Sequence, residues 1–89
     1  MTKVIFRKDK ADGSIVAFLP EYKANYGNVV CYQHQGQHGE VSYEYYLDTV
    51  KASEVEYRDL LIEMQTLGYD NLAVKQRLTY SSLLDAWKL

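Results

Sequence analysis

Apolar and polar positions divide this chain into short β-type runs at the front and one long helical stretch behind them. Val4, Ile5 and Phe6 form one apolar run and Ile15 to Leu19 a second, with Arg7 to Gly13 between them. Asp12-Gly13 supplies a position tolerant of positive φ, so the two runs read as a hairpin with a slightly enlarged loop. Pro20 lacks the N–H that a ladder needs and ends the second strand. Both runs are nearly continuous in apolar residues, which predicts strands covered on both faces, with self-assembly one way to supply the second cover.

Glu21 to Asn28 holds Asn25, Gly27 and Asn28 and reads as a loop, with Tyr22 and Tyr26 folded over the sheet. A third strand is predicted from about Val29 to Gln35. When extended, it places Val30, Tyr32 and His34 on one face and Cys31, Gln33 and Gln35 on the other, ahead of a turn at Gly36 to Gly39. Val41 to Val50 supports two readings. Alternation of Val41, Tyr43, Tyr45 and Leu47 against Ser42, Glu44, Tyr46 and Asp48 favours a strand, whereas Ser42 could cap one or two helical turns through Leu47.

Ser53-Glu54-Val55-Glu56 is a capping box, and Tyr57, Leu60, Leu61, Met64 and Leu67 follow at helical spacing until Gly68 stops the helix. A helix of about 15 residues is marginal alone in water, so its apolar stripe must lie on the sheet. Leu72, Val74, Gln76, Leu78 and Tyr80 alternate with Ala73, Lys75, Arg77 and Thr79, which predicts a half-buried strand with a basic outer face. Ser82 and Asp85 then provide a weaker cap for a final helical turn or two carrying Leu83, Leu84 and Trp87. The resulting order is β-β-β-(β or short α)-α-β-α. It predicts a single α+β domain over residues 1–89, with an antiparallel sheet of three to five strands, the Ser53 to Leu67 helix on one face and a short C-terminal helix.

Composition narrows the function classes. The chain has 89 residues, 47% of them apolar and 25% charged, which fits one globular domain and neither disorder nor a coiled coil. Nine tyrosines are an excess, and tyrosine suits the edges of cores and interfaces, where one end of the ring is dry and the other wet. A formal net charge of −2 argues against a protein that binds duplex nucleic acid by neutralising many phosphates. One cysteine cannot staple the monomer, and no secretory signal or apolar run of membrane-spanning length is present, so a reducing cytoplasm is the expected compartment.

Several stretches resemble those of a group of small bacteriophage and gut-bacterial proteins. They are Val4-Ile5-Phe6-Arg7-Lys8, Asp12-Gly13 with Val16-Ala17-Phe18-Leu19-Pro20-Glu21, Tyr32-Gln33-His34-Gln35-Gly36-Gln37-His38-Gly39, and Glu56-Tyr57-Arg58-Asp59-Leu60-Leu61 with Gly68-Tyr69. The resemblance implies a mobile-element origin and transfers no activity or functional residue.

The candidate chemistry gathers where the third strand meets its turn, a stretch that holds both histidines and the single cysteine. Cys31, His34 and His38, with Glu40 nearby, have ligand types that zinc accepts. In a strand, however, Cys31 and His34 point apart and the second half of a usual zinc motif is missing, so no metal is assigned. A histidine general base beside Glu40 is conceivable in pattern but lacks an assignable nucleophile, and the two glycines make neither a Walker loop nor a dinucleotide fingerprint, so neither catalysis nor a cofactor is assigned.

The turn nevertheless carries more amide, imidazole and carboxylate groups than turn formation uses. Tyr32, His34, Gln35, Gln37, His38, Glu40 and Tyr43 are therefore the expected ligand or partner surface. Lys3, Arg7, Lys8 and Lys10 could gather with Lys75 and Arg77 into a basic face if the first and last strands are neighbours, with Arg7, Lys8, Lys75 and Arg77 as its expected site residues. The expected function is non-enzymatic and works by binding, with the chain as a phage or mobile-element accessory protein whose protein partner could be a host-defence component. The alternative is sequestration of a small anionic ligand, such as a signalling nucleotide, at the Gln33 to Glu40 loop. The doubly apolar strands, the tyrosine excess and the apolar C-terminal residues Leu83, Leu84 and Trp87 predict a homodimer or larger assembly.

Overall fold

The computed structural model describes residues 1–33 and 37–88, and for Gln37 the backbone only. Its elements are β1 (Thr2–Lys8), β2 (Ile15–Leu19), β3 (Asn28–Gln33), β4 (Gln37–Ser42), α1 (Tyr43–Asp48), β5 (Val50–Lys51), α2 (Glu54–Thr66), β6 (Leu72–Lys75) and α3 (Tyr80–Ala86). The strands form one sheet in the order β4-β3-β2-β1-β5, with β6 also paired to β1. Every pairing is antiparallel except that of β1 with β6, which sets Ile5 opposite Lys75. The fold is thus α+β, with β1 the strand that three others pair with. One edge of β1 is taken by β2, while the other is shared by β5 at Arg7 and Lys8 and by β6 at Thr2 to Ile5.

The front hairpin closes through Asp9, whose N–H donates to the Ser14 carbonyl and whose carbonyl accepts from Gly13 at φ 75°. Pro20 follows β2 directly and is buried. Alternation along the strands sends Val4, Phe6, Ala17, Leu19 and Tyr32 to one face, where Ala52, Leu60 and Met64 complete a core. On the opposite face Ile5, Val16, Phe18, Val29 and Cys31 meet Tyr46, Leu78 and Leu83. The capping box forms as expected: the Ser53 hydroxyl accepts from the Glu56 N–H at 3.3 Å, and the Glu56 carboxylate accepts from the Ser53 N–H at 2.9 Å. Leu67 caps the far end of α2, and Gly68 at φ 110° turns the chain away.

Four sequence expectations need correction. First, the strand favoured for Val41 to Val50 ends at Ser42, where α1 begins. The Ser42 hydroxyl accepts the Tyr45 N–H at 3.1 Å, and the helical turn buries Tyr46 edge-on against Phe18 while leaving Leu47 60% exposed. Second, Gly39 lies inside β4 opposite Cys31, so Gly36 to Gly39 is not a turn as a whole.

Third, the late strand stops at Lys75: Leu72 and Val74 pack on the α2 side, but Leu78 enters the opposite core, which no continuous strand could arrange. Thr79, rather than Ser82, is the N-cap of the last helix. Fourth, Tyr26 is 82% exposed and stands away from the sheet. The second cover of the sheet comes from α1 and α3 of the same chain, so doubly apolar strands here do not call for a second copy. Among the described residues, no helix is long and apolar enough to cross a membrane.

Candidate functional site

Strand register brings two of the expected site residues together. Tyr32 and His38 are partners on β3 and β4, with ring centroids 4.7 Å apart in an edge-on arrangement. His38 shares a 2.6 Å hydrogen bond between its Nε2 and the hydroxyl of Tyr69, which arrives from the turn after α2. The buried Tyr32 donates its hydroxyl to the Glu63 carboxylate on α2. Burial, and secondarily the neighbouring Tyr22, push the Tyr69 phenol up. This cluster ties the β3–β4 ribbon to the helix. His34 and Gln35 lie outside the described residues, as does the side chain of Gln37.

The remaining candidates separate. Glu40 accepts from the Asn25 N–H and the Asn28 side-chain amide, at 3.1 and 3.2 Å, and so braces the loop before β3. Tyr43 opens α1 on the other face of the sheet. Cys31 and His38 also face apart, since Cys31 belongs to the α1/α3 core and His38 stands beside Tyr32 on the α2 side. Burial pushes the Cys31 thiol up, away from a reactive thiolate. Among the described residues, no three His, Cys, Asp or Glu side chains converge as a metal site would require.

The expected basic face splits because Arg7 and Lys8 are consecutive on a strand and must point to opposite sides. Lys8 pairs with Glu56 at the start of α2. Arg7 donates to the Thr49 hydroxyl at 3.0 Å and the Thr49 carbonyl at 2.7 Å, with its guanidinium 5.1 Å from the Tyr46 ring centre. Both therefore have structural work. Lys75 and Arg77 do meet the first strand, because β6 lies beside β1, and the residue they join there is Lys3.

A surface that the sequence marked only in part, at Tyr43, Leu84 and Trp87, lies on the α1/α3 side. Tyr26 packs on Trp87 at 5.1 Å between ring centres, Trp87 on Tyr80 at 5.6 Å, Tyr80 on Tyr43 at 5.6 Å and Tyr43 on Tyr46 at 5.9 Å. Trp87 is anchored by its indole N–H, which donates to the Asn28 carbonyl at 2.7 Å. Along α3, Leu83 and Ala86 point inward, whereas Tyr80 and Leu84 are 50% and 44% exposed. Tyr80, Leu84 and Trp87 stand at helical spacing, a signal hidden once Tyr80 is assigned to a strand.

Beside the Tyr26–Trp87 pair a groove of about 470 Å³ is lined by Lys23, Asn25 and Glu40 as well. Glu40 and Tyr43, two of the expected site residues, thus border this aromatic surface. No protein-family model, curated protein or solved structure matches the chain.

Proposed function

We propose that this chain acts by binding a protein partner through the aromatic surface of Tyr26, Trp87, Tyr80 and Tyr43, rather than by catalysis. The observation that carries this reading is the exposure of that ring chain, with Tyr26 at 82% and Tyr80 at 50%. Tyrosine and tryptophan supply large contact area with few rotatable bonds and dominate the energetic centres of protein interfaces. The charges around the patch are of both signs: Lys23 and Glu40 line the groove, and Asp85 of α3 pairs with Lys88 just beyond the helix at 3.2 Å. A polyanion would need a one-signed basic border, whereas a mixed rim around an apolar centre suits a folded protein.

A photo-crosslinking residue in place of Tyr80 tests the reading, with the same group at Ile62 on the outer side of α2 as control. In extracts of cells that make the protein, Tyr80 should give one discrete adduct. Excess wild-type chain should compete it away, and a Tyr26→Ser/Tyr80→Ser chain should not. A smear that resists competition, or equal adducts from both positions, would refute the proposal. An adduct of twice the chain's own mass would identify the partner as a second copy.

A further inference from the structure

We propose a second, separate site: the cleft between β6 and α3 binds a small phosphate monoester. It encloses about 280 Å³, at the small end of ligand sites, with a floor of the buried residues Ile5, Pro20 and Leu78. Lys3, Lys75 and Arg77 stand around that floor with the amide of Gln76, and the lining holds no acidic side chain.

The parallel register creates this gathering. Lys3 lies opposite Ala73 and Ile5 opposite Lys75, which makes the two lysines diagonal neighbours on one face of the sheet, and Arg77 follows two residues later. Like charges set on adjacent strands repel. Acids outnumber bases in this chain by 12 to 10, and Lys8, Lys10, Arg58 and Lys88 all have carboxylate partners. Among the described residues, Lys3, Lys75 and Arg77 pair with none.

Two acids, Glu21 and Asp85, line an adjoining cleft that shares Lys3, Pro20 and Ser82 with this one. Glu21 accepts the backbone N–H of Lys3 at 2.8 Å, and Asp85 pairs with Lys88. Edge protection would explain one exposed lysine, but not three cations around an apolar floor. The hydroxyls of Thr79 and Ser82 also line the cleft but are committed to each other and to the α3 cap, so the cations and Gln76 would hold the ligand. One guanidinium fork and two ammonium groups match the dianionic charge and three terminal oxygens of a phosphate monoester better than a single carboxylate, and the apolar floor takes the ester's organic part. This site does not depend on the aromatic surface.

The test is titration of the full chain with adenosine 5′-monophosphate, ribose 5-phosphate and inorganic phosphate at constant ionic strength, read by amide NMR shifts and thermal melting. A phosphate ester should raise the melting temperature saturably and move the amides of Lys75 to Leu78, more strongly than inorganic phosphate does. Arg77→Gln and Lys75→Gln should each weaken binding by about tenfold, the loss expected of one charge-assisted contact, while the unliganded melting temperature stays put. Lys10→Gln should bind as wild type does. The proposal fails if no ester acts beyond matched chloride, if the shifts fall on the β3–β4 ribbon instead, or if Arg77→Gln binds unchanged.

Discussion

The two faces of the sheet are closed in different ways. On one, a single helix of 13 residues lays Leu60 and Met64 into the core, with a capping box at its start and a glycine at its end. On the other, helices of six and seven residues share the work. Helices that short do not persist alone in water. Tyr46 accepts the Leu78 N–H at 2.8 Å, Trp87 holds the Asn28 carbonyl, Ala24 donates to the Ala86 carbonyl at 3.3 Å, and Arg7 grips Thr49. A face covered by local pattern needs few such ties. A face assembled from pieces depends on them and leaves gaps between the pieces, and both proposed sites lie there.

The largest test of this difference is truncation in each core. Leu60→Ala should cost about 3 kcal/mol and loosen the whole sheet, since the buried leucine anchors the long helix. Leu83→Ala should instead undock α3, with amide exchange rising at Ala86 and Trp87 before β1 and β2 respond. Uniform loss of protection in both variants would show that the faces are equally cooperative. Next in size is Tyr46→Phe, which leaves the Leu78 N–H without its acceptor and should cost about 1 to 3 kcal/mol, read by denaturant melts. Ser53→Ala on the other face should cost about 1 kcal/mol through the lost cap.

Acid sharpens the comparison further. The hydrogen bond from Lys8, and then the Ser53 N–H, hold the Glu56 carboxyl down at about 2 from its ordinary 4.5. A depressed folded value means that the contribution is present above about pH 4.5 and is lost as pH falls toward 2. Glu56→Gln should flatten that part of the stability curve, and an unchanged slope would remove Lys8–Glu56 as its source. The smallest effect belongs to the exposed ring: Tyr80→Ser should change stability by less than about 0.5 kcal/mol, because a half-exposed side chain on a short helix anchors little.

What could be read from the sequence follows the same division. The capping box, the Asp12-Gly13 hairpin and the stop at Pro20 are local chemistry, and each appears where the sequence placed it. The α1/α3 side was harder to read because its signals conflict. Tyr43, Tyr45 and Leu47 alternate as a strand would, yet Ser42 caps a helix, and only the seat for Tyr46 against Phe18 decides between them. Leu78 continues the strand alternation in sequence but changes face in space. At the candidate site, His38 meets Tyr69 across 31 residues, a contact no spacing rule reveals. The condition set for a basic face, that the first and last strands be neighbours, is met, but adjacent Arg7 and Lys8 could never have shared it.

The parallel pairing of Ile5 with Lys75 also sets a timetable for the growing polypeptide. β1 is made first, yet one of its edges stays bare along Thr2 to Ile5 until the last quarter of the chain arrives. During synthesis the hairpin of β1 and β2 can form early, whereas the other edge of β1 is filled among the last, a long-range closure of the kind that slows folding. Until then, that apolar edge is the segment most exposed to pairing with a neighbouring nascent chain. Ribosome-arrested chains of increasing length should therefore show protection of the Val4 amide, which faces β6 as that of Thr2 does, only after Lys75 has emerged.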